Sequence, residues 1–302
     1  MTRVSVIVPA HQAAAVVGDA LRSLQAQTYT DWEAVVADDA SSDGTLAVVE
    51  ALAEPRIRAV RSEVNLGPAG ARNLAARHAT GELVALLDAD DAWLPTYLER
   101  MVAAYDREPG AVLVGCDASL VRDGLTLDRT YLDALPSYAP PTLDRLLRGN
   151  FIYVSGLFPR AAAEAAGWFS PELFGTEDHD LWIRLLESGG RAVVVEEPLA
   201  LYRVAEGSVS ANLGRMAASS QRTLQRALAR GRLTPAQQRI ARSELRYYRG
   251  MEAVARARFD RERPLTERAR GVLRALPALA RVAATRPDKW RAWAGALRRG
   301  RG

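Results

Sequence analysis

The sequence is poor in the residue types that build disulfide frameworks and zinc sites. Its 302 residues include a single cysteine, Cys116, and three histidines, His11, His78 and His179. One cysteine excludes intrachain disulfides and thiolate metal clusters. Three histidines make a multi-histidine zinc site a poor expectation.

Long apolar runs are also absent. No stretch reaches about 18 uninterrupted apolar residues, and the chain enters a strand-like run at Val4 without a signal-peptide pattern. We therefore expect a cytoplasmic protein. The apolar content of 48% and the charged content of 25% are typical of globular proteins. The length allows one large domain or two smaller ones.

The net charge of +4 hides two parts of opposite sign. Residues 1–214 contain 17 basic and 30 acidic side chains, whereas residues 215–302 contain 23 and 6. We predict two domains with these bounds, the second a basic, arginine-rich helical extension. Its charge favours an anionic partner, either a membrane surface or a polyphosphate. We expect no nucleic-acid partner, because no zinc-finger, ribonucleoprotein or basic-zipper signature is present.

Short apolar runs alternate with helix-like stretches in the first part of the chain. This alternation predicts an α/β fold with a mainly parallel central sheet flanked by helices. The predicted strands are Val4–Val8, Glu33–Ala37, Ile57–Val60 and Leu83–Leu87, and the predicted helices are Ala14–Ala26, Asp43–Leu52 and Ala69–His78.

The later part of the chain is less regular. A helix is predicted from Pro95 to Arg107 and an apolar run from Ala111 to Val114, after which an irregular loop or lid region passes through Pro136, Pro140 and Pro141. Order is expected to resume with Ile152–Phe158, a helix at Arg160–Ala166, a helix opening near Glu177 and a strand at Ala192–Val195. Beyond Gly214 the pattern is helical, with breaks at Gly231, Pro264, Pro277 and Pro287.

Three carboxylates, Asp88, Asp90 and Asp91, follow the most apolar predicted strand. Carboxylates this close repel each other unless a cation offsets their charge. Mg²⁺ or Mn²⁺ would do so, because both prefer oxygen ligands. The alternative is an acidic turn in which Asp91 caps the next helix. Both interpretations stay open on this segment alone.

Polar residues also follow the first two strands, at residues 9–12 and 38–44. Ligands bind beyond the carboxyl ends of parallel strands, so the three strand ends are expected to line one cleft. Asp38 and Asp39 could accept hydrogen bonds from a nucleobase imide or from ribose hydroxyls. Alternatively, they only form a turn before the next helix.

Two further segments allow both a functional and a structural interpretation. Residues 65–73 form a glycine-bearing turn that leads into a helix containing Arg72, and its backbone N–H groups could face phosphates. A plain loop is the alternative. The helix that opens at Glu177 has acids in its first turn, which the helix dipole alone could explain. A carboxylate there could instead deprotonate an acceptor hydroxyl near a bound cation.

Motifs in a fixed order from residue 4 to residue 203 carry a wider pattern. They are residues 4–10 with 24–28, 38–45, 65–67 with 71–73, 81–91 with Trp93 and Pro95, 167–169, 177–182, and 197–199 with 202–203. Together they resemble the family 2 glycosyltransferases, a large group of mostly inverting enzymes with the GT-A fold. The basic tail lies outside this resemblance.

The resemblance implies transfer of a sugar from a nucleotide diphosphate sugar to an acceptor hydroxyl on a glycan, a polysaccharide or a lipid-linked molecule. It implies Mn²⁺ or Mg²⁺ as cofactor, with Asp90 as the expected direct metal ligand and Asp88 beside it. Asp178 is the expected general base, and Glu177 and Trp182 are expected on the acceptor side. The nucleotide is expected to contact Pro9, Ala10, His11, Asp39, Arg72, Asp88 and Ala89.

Two departures from the family pattern leave alternatives open. His11-Gln12 stands where many members have an aromatic residue and asparagine, and Ala205 stands where many have a histidine near the metal and diphosphate. Ala205 makes a non-catalytic nucleotide-sugar-binding protein one alternative. Nucleotidyl transfer is another, although Lys289, the single lysine, lies far from the predicted cleft in sequence.

The basic tail has an apolar pattern of its own. Its arginines surround a possible apolar face with two tryptophans, formed by Leu273, Leu276, Leu279, Ala280, Trp290 and Trp293. This composition suits a helix on an anionic leaflet, which predicts peripheral attachment at the inner face of the cell membrane. The alternative is a helical cap whose arginines neutralise the acidic domain.

Overall fold

The computed structural model describes residues 3–135, 140–204 and 213–259, and six single residues between 266 and 280. The chain divides into two compact units, Met1–Glu206 and Gly207–Gly302. The domain boundary predicted at residue 214 stays a prediction.

The first unit alternates strands and helices, as the sequence predicts. Its strands are β1 (Val4–Ala10), β2 (Trp32–Asp39), β3 (Ile57–Ser62), β4 (Leu83–Leu86), β5 (Ala92–Trp93), β6 (Ala111–Arg122), β7 (Leu125–Thr130), β8 (Leu157–Pro159) and β9 (Arg191–Arg203). Its helices are α1 (Val17–Gln25), α2 (Thr45–Ala51), α3 (Gly67–Ala76), α4 (Tyr97–Arg107), α5 (Leu143–Arg148), α6 (Arg160–Ala166) and α7 (Glu177–Glu187), with a 3₁₀ turn at Leu132–Ala134.

The strands form one sheet in the order β3-β2-β1-β4-β8-β6-β9-β5, with β7 paired to β6. The neighbours from β3 to β4 are parallel, and so are β6 and β9. Strand β8 is antiparallel to β4 and β6, and β5 is antiparallel to β9. The predicted α/β fold class is confirmed. The part of the sheet from β3 to β4 is parallel, and the part from β8 to β5 contains parallel and antiparallel pairs.

The register of the parallel strands determines where the polar strand ends lie. Ala10 of β1 pairs with Asp38 of β2, and Ile7 of β1 pairs with Leu86 of β4. These strands are buried along almost their whole length, as expected for mainly apolar strands that are covered on both faces. The segments that follow β1, β2 and β4 therefore leave the sheet at the same edge.

The prediction of an irregular chain directly after Val114 is wrong. Strand β6 continues to Arg122 and returns through β7 as a hairpin, in which Arg122 pairs with Leu125. The two turn residues, Asp123 and Gly124, have φ values of 51° and 77°. Two successive positive φ angles are those of a type I′ turn, for which Asp-Gly is a favoured sequence. This dipeptide was the signal that the prediction missed.

The second unit contains α8 (Leu213–Ala229) and α9 (Pro235–Phe259), which pack against each other. Gln221 Nε2 donates a hydrogen bond to Glu252 Oε2 at 2.6 Å across this pair. The predicted break at Gly231 is confirmed, because this residue lies between the helices with a φ of 68°. Within the described part of the chain, no helix is long and apolar enough to span a membrane.

Most of the predicted membrane face falls outside the described residues. Leu276, Leu279, Trp290 and Trp293 are not described, whereas Leu273 is described and is exposed. The membrane prediction therefore stays a prediction.

Candidate active site

Three carboxylates lie together at the carboxyl edge of the sheet, directly after β4. Oxygen atoms of Asp88, Asp90 and Asp91 all lie within 4.8 Å of one another. Asp90 is exposed, Asp88 is partly buried and Asp91 is buried. Although the residue is exposed, partial loss of water around its carboxyl and the neighbouring negative charge of Asp88 raise the pKa of Asp90. Oxygen ligands at this spacing fit a hard divalent cation, which would offset the repulsion.

Asp91 is held by the protein on both of its oxygens. The backbone N–H of Arg203 donates to Oδ1 at 3.0 Å, and the Tyr153 hydroxyl donates to Oδ2. Burial, followed by the charges of Asp88 and Asp90, raises the pKa of Asp91 well above its usual range. The alternative of a capping role for Asp91 is wrong, because β5 follows it and α4 begins only at Tyr97.

Arg72 of α3 joins the acidic cluster to the start of α7. One guanidinium nitrogen lies 2.7 Å from Asp88 Oδ1 and the other lies 2.5 Å from Glu177 Oε1. The side chains of Arg72 and Glu177 are only 5% and 4% exposed, so the pair is shielded from solvent. Arg72 was predicted to contact the nucleotide, and here it bridges two carboxylates.

Asp178, the predicted base, follows Glu177 in the first turn of α7. Its Oδ2 accepts a hydrogen bond from Asn150 Nδ2 at 3.1 Å, and its Oδ1 accepts one from the His179 backbone N–H at 2.7 Å. Burial and the charge of Glu177 raise the pKa of Asp178 to about 7, although Arg72 opposes the shift. A carboxyl that titrates near neutral pH is suited to accept a proton.

The predicted nucleotide-contact residues lie at the ends of β1 and β2. Pro9 and Ala10 close β1, and His11 follows them with an exposed side chain. Asp39 is buried at the end of β2, where its Oδ1 accepts a hydrogen bond from the Leu66 backbone N–H at 2.7 Å.

A short hydrogen-bonded chain connects His11 to the neighbouring loops. Its Nδ1 lies 2.6 Å from the Asp39 carbonyl oxygen, and its Nε2 lies 3.1 Å from Asn65 Nδ2. A carbonyl only accepts, so Nδ1 carries the proton and Nε2 accepts from the Asn65 amide. Asp39 and the acidic cluster thus lie at the same sheet edge, with β1 between their strands.

Two predicted site residues, Ala89 and Trp182, are buried. Ala89, between the metal-ligand candidates, is buried. Trp182 was expected on the acceptor side, but it is fully buried and its ring centroid lies 5.3 Å from that of Phe158. The large apolar ring belongs to the core of the first unit, and the acceptor-side expectation for Trp182 is not supported by this position. Ala205 lies outside the described residues.

Sequence reasoning missed the residues that hold the acids in place. Tyr153 and Arg203 bind Asp91 from distant parts of the chain, and Asn150 binds Asp178. Single residues in loops or strand ends carry no periodic signal, so their roles depend on contacts that only the fold creates.

An α/β sheet with clustered carboxylates at its carboxyl edge is the arrangement that the sequence resemblance predicts for a glycosyltransferase. The chain belongs to glycosyl transferase family 2, whose family model matches residues 5–157. The predicted resemblance to this family is therefore confirmed.

Curated relatives from bacteria share the same region. The succinoglycan biosynthesis protein ExoO of Rhizobium meliloti (strain 1021) is 33% identical over 216 residues, which are 68% of this chain and 62% of that protein. The match thus spans less than two thirds of ExoO. The putative teichuronic acid biosynthesis glycosyltransferase TuaG of Bacillus subtilis (strain 168) is 32% identical over 212 residues, 69% of this chain and 82% of TuaG.

A solved structure shares the fold over nearly the whole chain. The mannosyltransferase PcManGT of Pyrobaculum calidifontis, solved in complex with GDP-Man and Mn²⁺, superposes with a TM-score of 0.66 at 23% identity. The similarity covers 98% of this chain and 85% of that one. At this identity the comparison shows the fold.

Proposed function

We propose that this protein is an inverting glycosyltransferase that moves a sugar from a nucleotide diphosphate sugar to an acceptor hydroxyl. The observation that carries the proposal is the connection of the acidic cluster to Asp178. Asp88 contacts Arg72, Arg72 contacts Glu177, and Asp178 is the next residue. Groups suited to a diphosphate and a group suited to remove a proton thus belong to one site.

The nucleotide is assigned to the ends of β1 and β2. Asp39 is held by Leu66 and lies beside the neutral imidazole of His11, so both present fixed polar groups at this edge. A uridine or guanosine base offers N–H donors that a carboxylate accepts. Pro9 and Ala10 form the adjacent backbone.

Asp90 and Asp88 would hold Mn²⁺ or Mg²⁺, with Asp91 kept behind them by Tyr153 and Arg203. When bound, such an ion supplies positive charge that offsets the negative charge of the diphosphate. The exposed position of Asp90 suits a direct ligand that a diphosphate can also reach. The complex of PcManGT with GDP-Man and Mn²⁺ supports Mn²⁺ by analogy.

Asp178 acts as the general base in this proposal. Its carboxylate takes the proton of the acceptor hydroxyl while the hydroxyl oxygen bonds to the anomeric carbon, and the bond from that carbon to the nucleotide diphosphate breaks. One displacement of this kind inverts the configuration at the carbon. The raised pKa of about 7 leaves Asp178 partly ionised and basic at neutral pH.

The acceptor is proposed to be a glycan, a polysaccharide or a lipid-linked molecule. The names of ExoO and TuaG place those relatives in polysaccharide biosynthesis, which supports a saccharide acceptor. The basic segment 215–302 is proposed to contact an anionic membrane surface. Flotation with vesicles of phosphatidylglycerol and phosphatidylcholine tests this contact, and equal partitioning of the full chain and of a chain truncated after residue 214 would rule it out.

The function is tested by incubating the full chain with uridine and guanosine diphosphate sugars, Mn²⁺ and a panel of saccharide acceptors. We expect one donor to be consumed in a metal-dependent way, with inverted anomeric configuration of the product by proton NMR. Retained configuration would contradict the mechanism. Binding of a donor without transfer or hydrolysis would favour the non-catalytic alternative, and nucleotide attached to the acceptor would favour nucleotidyl transfer.

A further inference from the structure

A backbone carbonyl group at the end of α5 binds the start of α7. The Gly149 N–H donates to the Leu146 carbonyl oxygen at 3.0 Å, and His179 Nε2 lies 2.8 Å from the same oxygen. Because a carbonyl oxygen only accepts, His179 Nε2 carries the proton. The His179 side chain is buried. Two donors on one oxygen therefore hold the turn that contains Asp178 beside residues 149 and 150.

Asn150 lies at this junction with both ends of its amide engaged. Its Oδ1 accepts from the Ile152 backbone N–H at 3.1 Å, and its Nδ2 donates to Asp178 Oδ2 at 3.1 Å. A backbone N–H can only donate and a carboxylate can only accept, so these partners determine the orientation of the amide. Ile152 is buried, which anchors the backbone on that side.

We propose that Asn150 is a positioning residue that holds the Asp178 carboxyl in one orientation and favours its ionised form. The inference rests on the proposed function, in which Asp178 is the base. Among the described residues, Oδ1 accepts from the His179 N–H and Oδ2 accepts from the Asn150 amide, which leaves each oxygen a lone pair for the acceptor proton.

The surroundings of Asp178 explain why a neutral donor matters. The negative charges of Glu177 and Asp88 disfavour its ionised form, whereas Arg72 and the His179 N–H favour it. Tyr131 also faces this carboxyl, and burial and the charge of Asp178 raise the pKa of the Tyr131 hydroxyl. Asn150 adds a donor without adding a charge, so it stabilises the carboxylate and leaves the ion pairs of Arg72 intact.

The test is a pH–rate profile of the full chain with Mn²⁺ and the nucleotide diphosphate sugar that the wild type hydrolyses fastest. Asn150→Asp has the same shape, but it replaces the donor with a second carboxylate. We expect the acid limb of kcat to move up by about one pH unit or more, with the KM for the donor unchanged. The loss of rate should be larger at pH 6 than at pH 9.

Asn150→Ala is the second variant, because it removes the donor without adding charge. It should lower kcat by about tenfold at neutral pH, the factor that one hydrogen bond to a charged group supplies. Thr142→Ala is the matched control. Thr142 caps α5 in the same segment by accepting from the Arg145 N–H, whereas the described side-chain donor to Asp178 is Asn150. It should lower the melting temperature by about 2–4 °C and leave the acid limb in place.

A titration without substrate separates this inference from the proposed function. In full chain labelled with ¹³C at aspartate side chains, the Asp178 signal is assigned by its loss in Asp178→Asn. A higher pKa of Asp178 in Asn150→Asp supports the positioning role. An unchanged pKa together with an unchanged acid limb overturns it, even if Asp178→Asn is inactive. If Asp178→Asn turns over at the wild-type rate, Asp178 is not the base, and the positioning role of Asn150 is excluded as well.

Discussion

The ion pair between Arg72 and Glu177 provides the sharpest prediction, because it is buried and joins two parts of the site. Arg72→Met keeps the length and apolar volume of the side chain and removes only the charged group. Glu177 and Asp88 then lose their cation, and Glu177 has a side chain only 4% exposed. A buried carboxylate without a partner is strongly unfavourable.

The size of the effect follows from burial. Removing one member of a buried pair costs about 3–5 kcal/mol of unfolding free energy, whereas an exposed pair contributes about 0–1 kcal/mol. Arg72 Nε and Glu177 Oε2 are buried and have no hydrogen-bond partner among the described residues, so the native pair is not ideal. We therefore expect about 3 kcal/mol, the lower end of the range.

The pH dependence has a definite sign. Without Arg72, Asp178 loses a cation that lowers its pKa, and its protonated form is favoured more strongly in the folded state. A folded-state pKa raised above the unfolded one contributes stability at low pH that is lost as the pH rises. Asp178 already has a pKa of about 7, and Arg72 acts to lower it. The penalty of Arg72→Met should thus be largest near pH 8 and smallest near pH 4–5.

Urea unfolding followed by tryptophan fluorescence at pH 5 and pH 8 measures this difference. Arg191→Met is the matched control, because Arg191 pairs with Glu108 at 2.6 Å while its own side chain is 71% exposed. It should change stability by less than about 1 kcal/mol at both pH values. Equal penalties for the two variants, or a penalty for Arg72→Met that does not depend on pH, would refute the reasoning.

Other changes test the neighbouring groups. Asp178→Asn removes a carboxyl whose pKa is raised to about 7. The unfolding free energy of the variant should therefore rise relative to the wild type between pH 4 and pH 7, by up to roughly 2–4 kcal/mol. Urea unfolding across this range measures the difference, and a difference that does not change with pH would count against the raised pKa. Tyr153→Phe should destabilise the fold by about 1–3 kcal/mol, since buried Asp91 loses a donor, and thermal denaturation checks this. Mn²⁺ is expected to raise the melting temperature of the wild type, and Asp90→Ala should abolish this rise, whereas an equal rise in both proteins would exclude Asp90 as a ligand.

The sequence was informative where residues repeat a pattern and weak where a single residue acts through the fold. Val4–Val8 and Leu83–Leu87 were predicted as strands because they are short and mainly apolar, and β1 and β4 begin at the same residues. Their order also indicated that acidic strand ends would share one edge of the sheet. Because the Asp123-Gly124 turn was not recognised in the sequence, the second half of β6 was not predicted.

The positions of the acids within the site needed the structure. Nothing local in the sequence shows that Arg72 would lie between Asp88 and Glu177, because the three residues meet only when α3, the end of β4 and α7 pack together. Trp182 illustrates a different difficulty. The family resemblance placed it on the acceptor side, whereas in the structure its side chain is fully buried in the core.

The central claim is that Asp178 and the acidic cluster act on one substrate, and turnover by Asp178→Asn tests it most directly. Rates and donor affinities of the variant and the wild type are compared with the same nucleotide diphosphate sugar and Mn²⁺. The account predicts donor binding within a few-fold of the wild type and a turnover lower by about 10²–10⁴-fold, the usual contribution of a general base. Wild-type turnover by Asp178→Asn would contradict it.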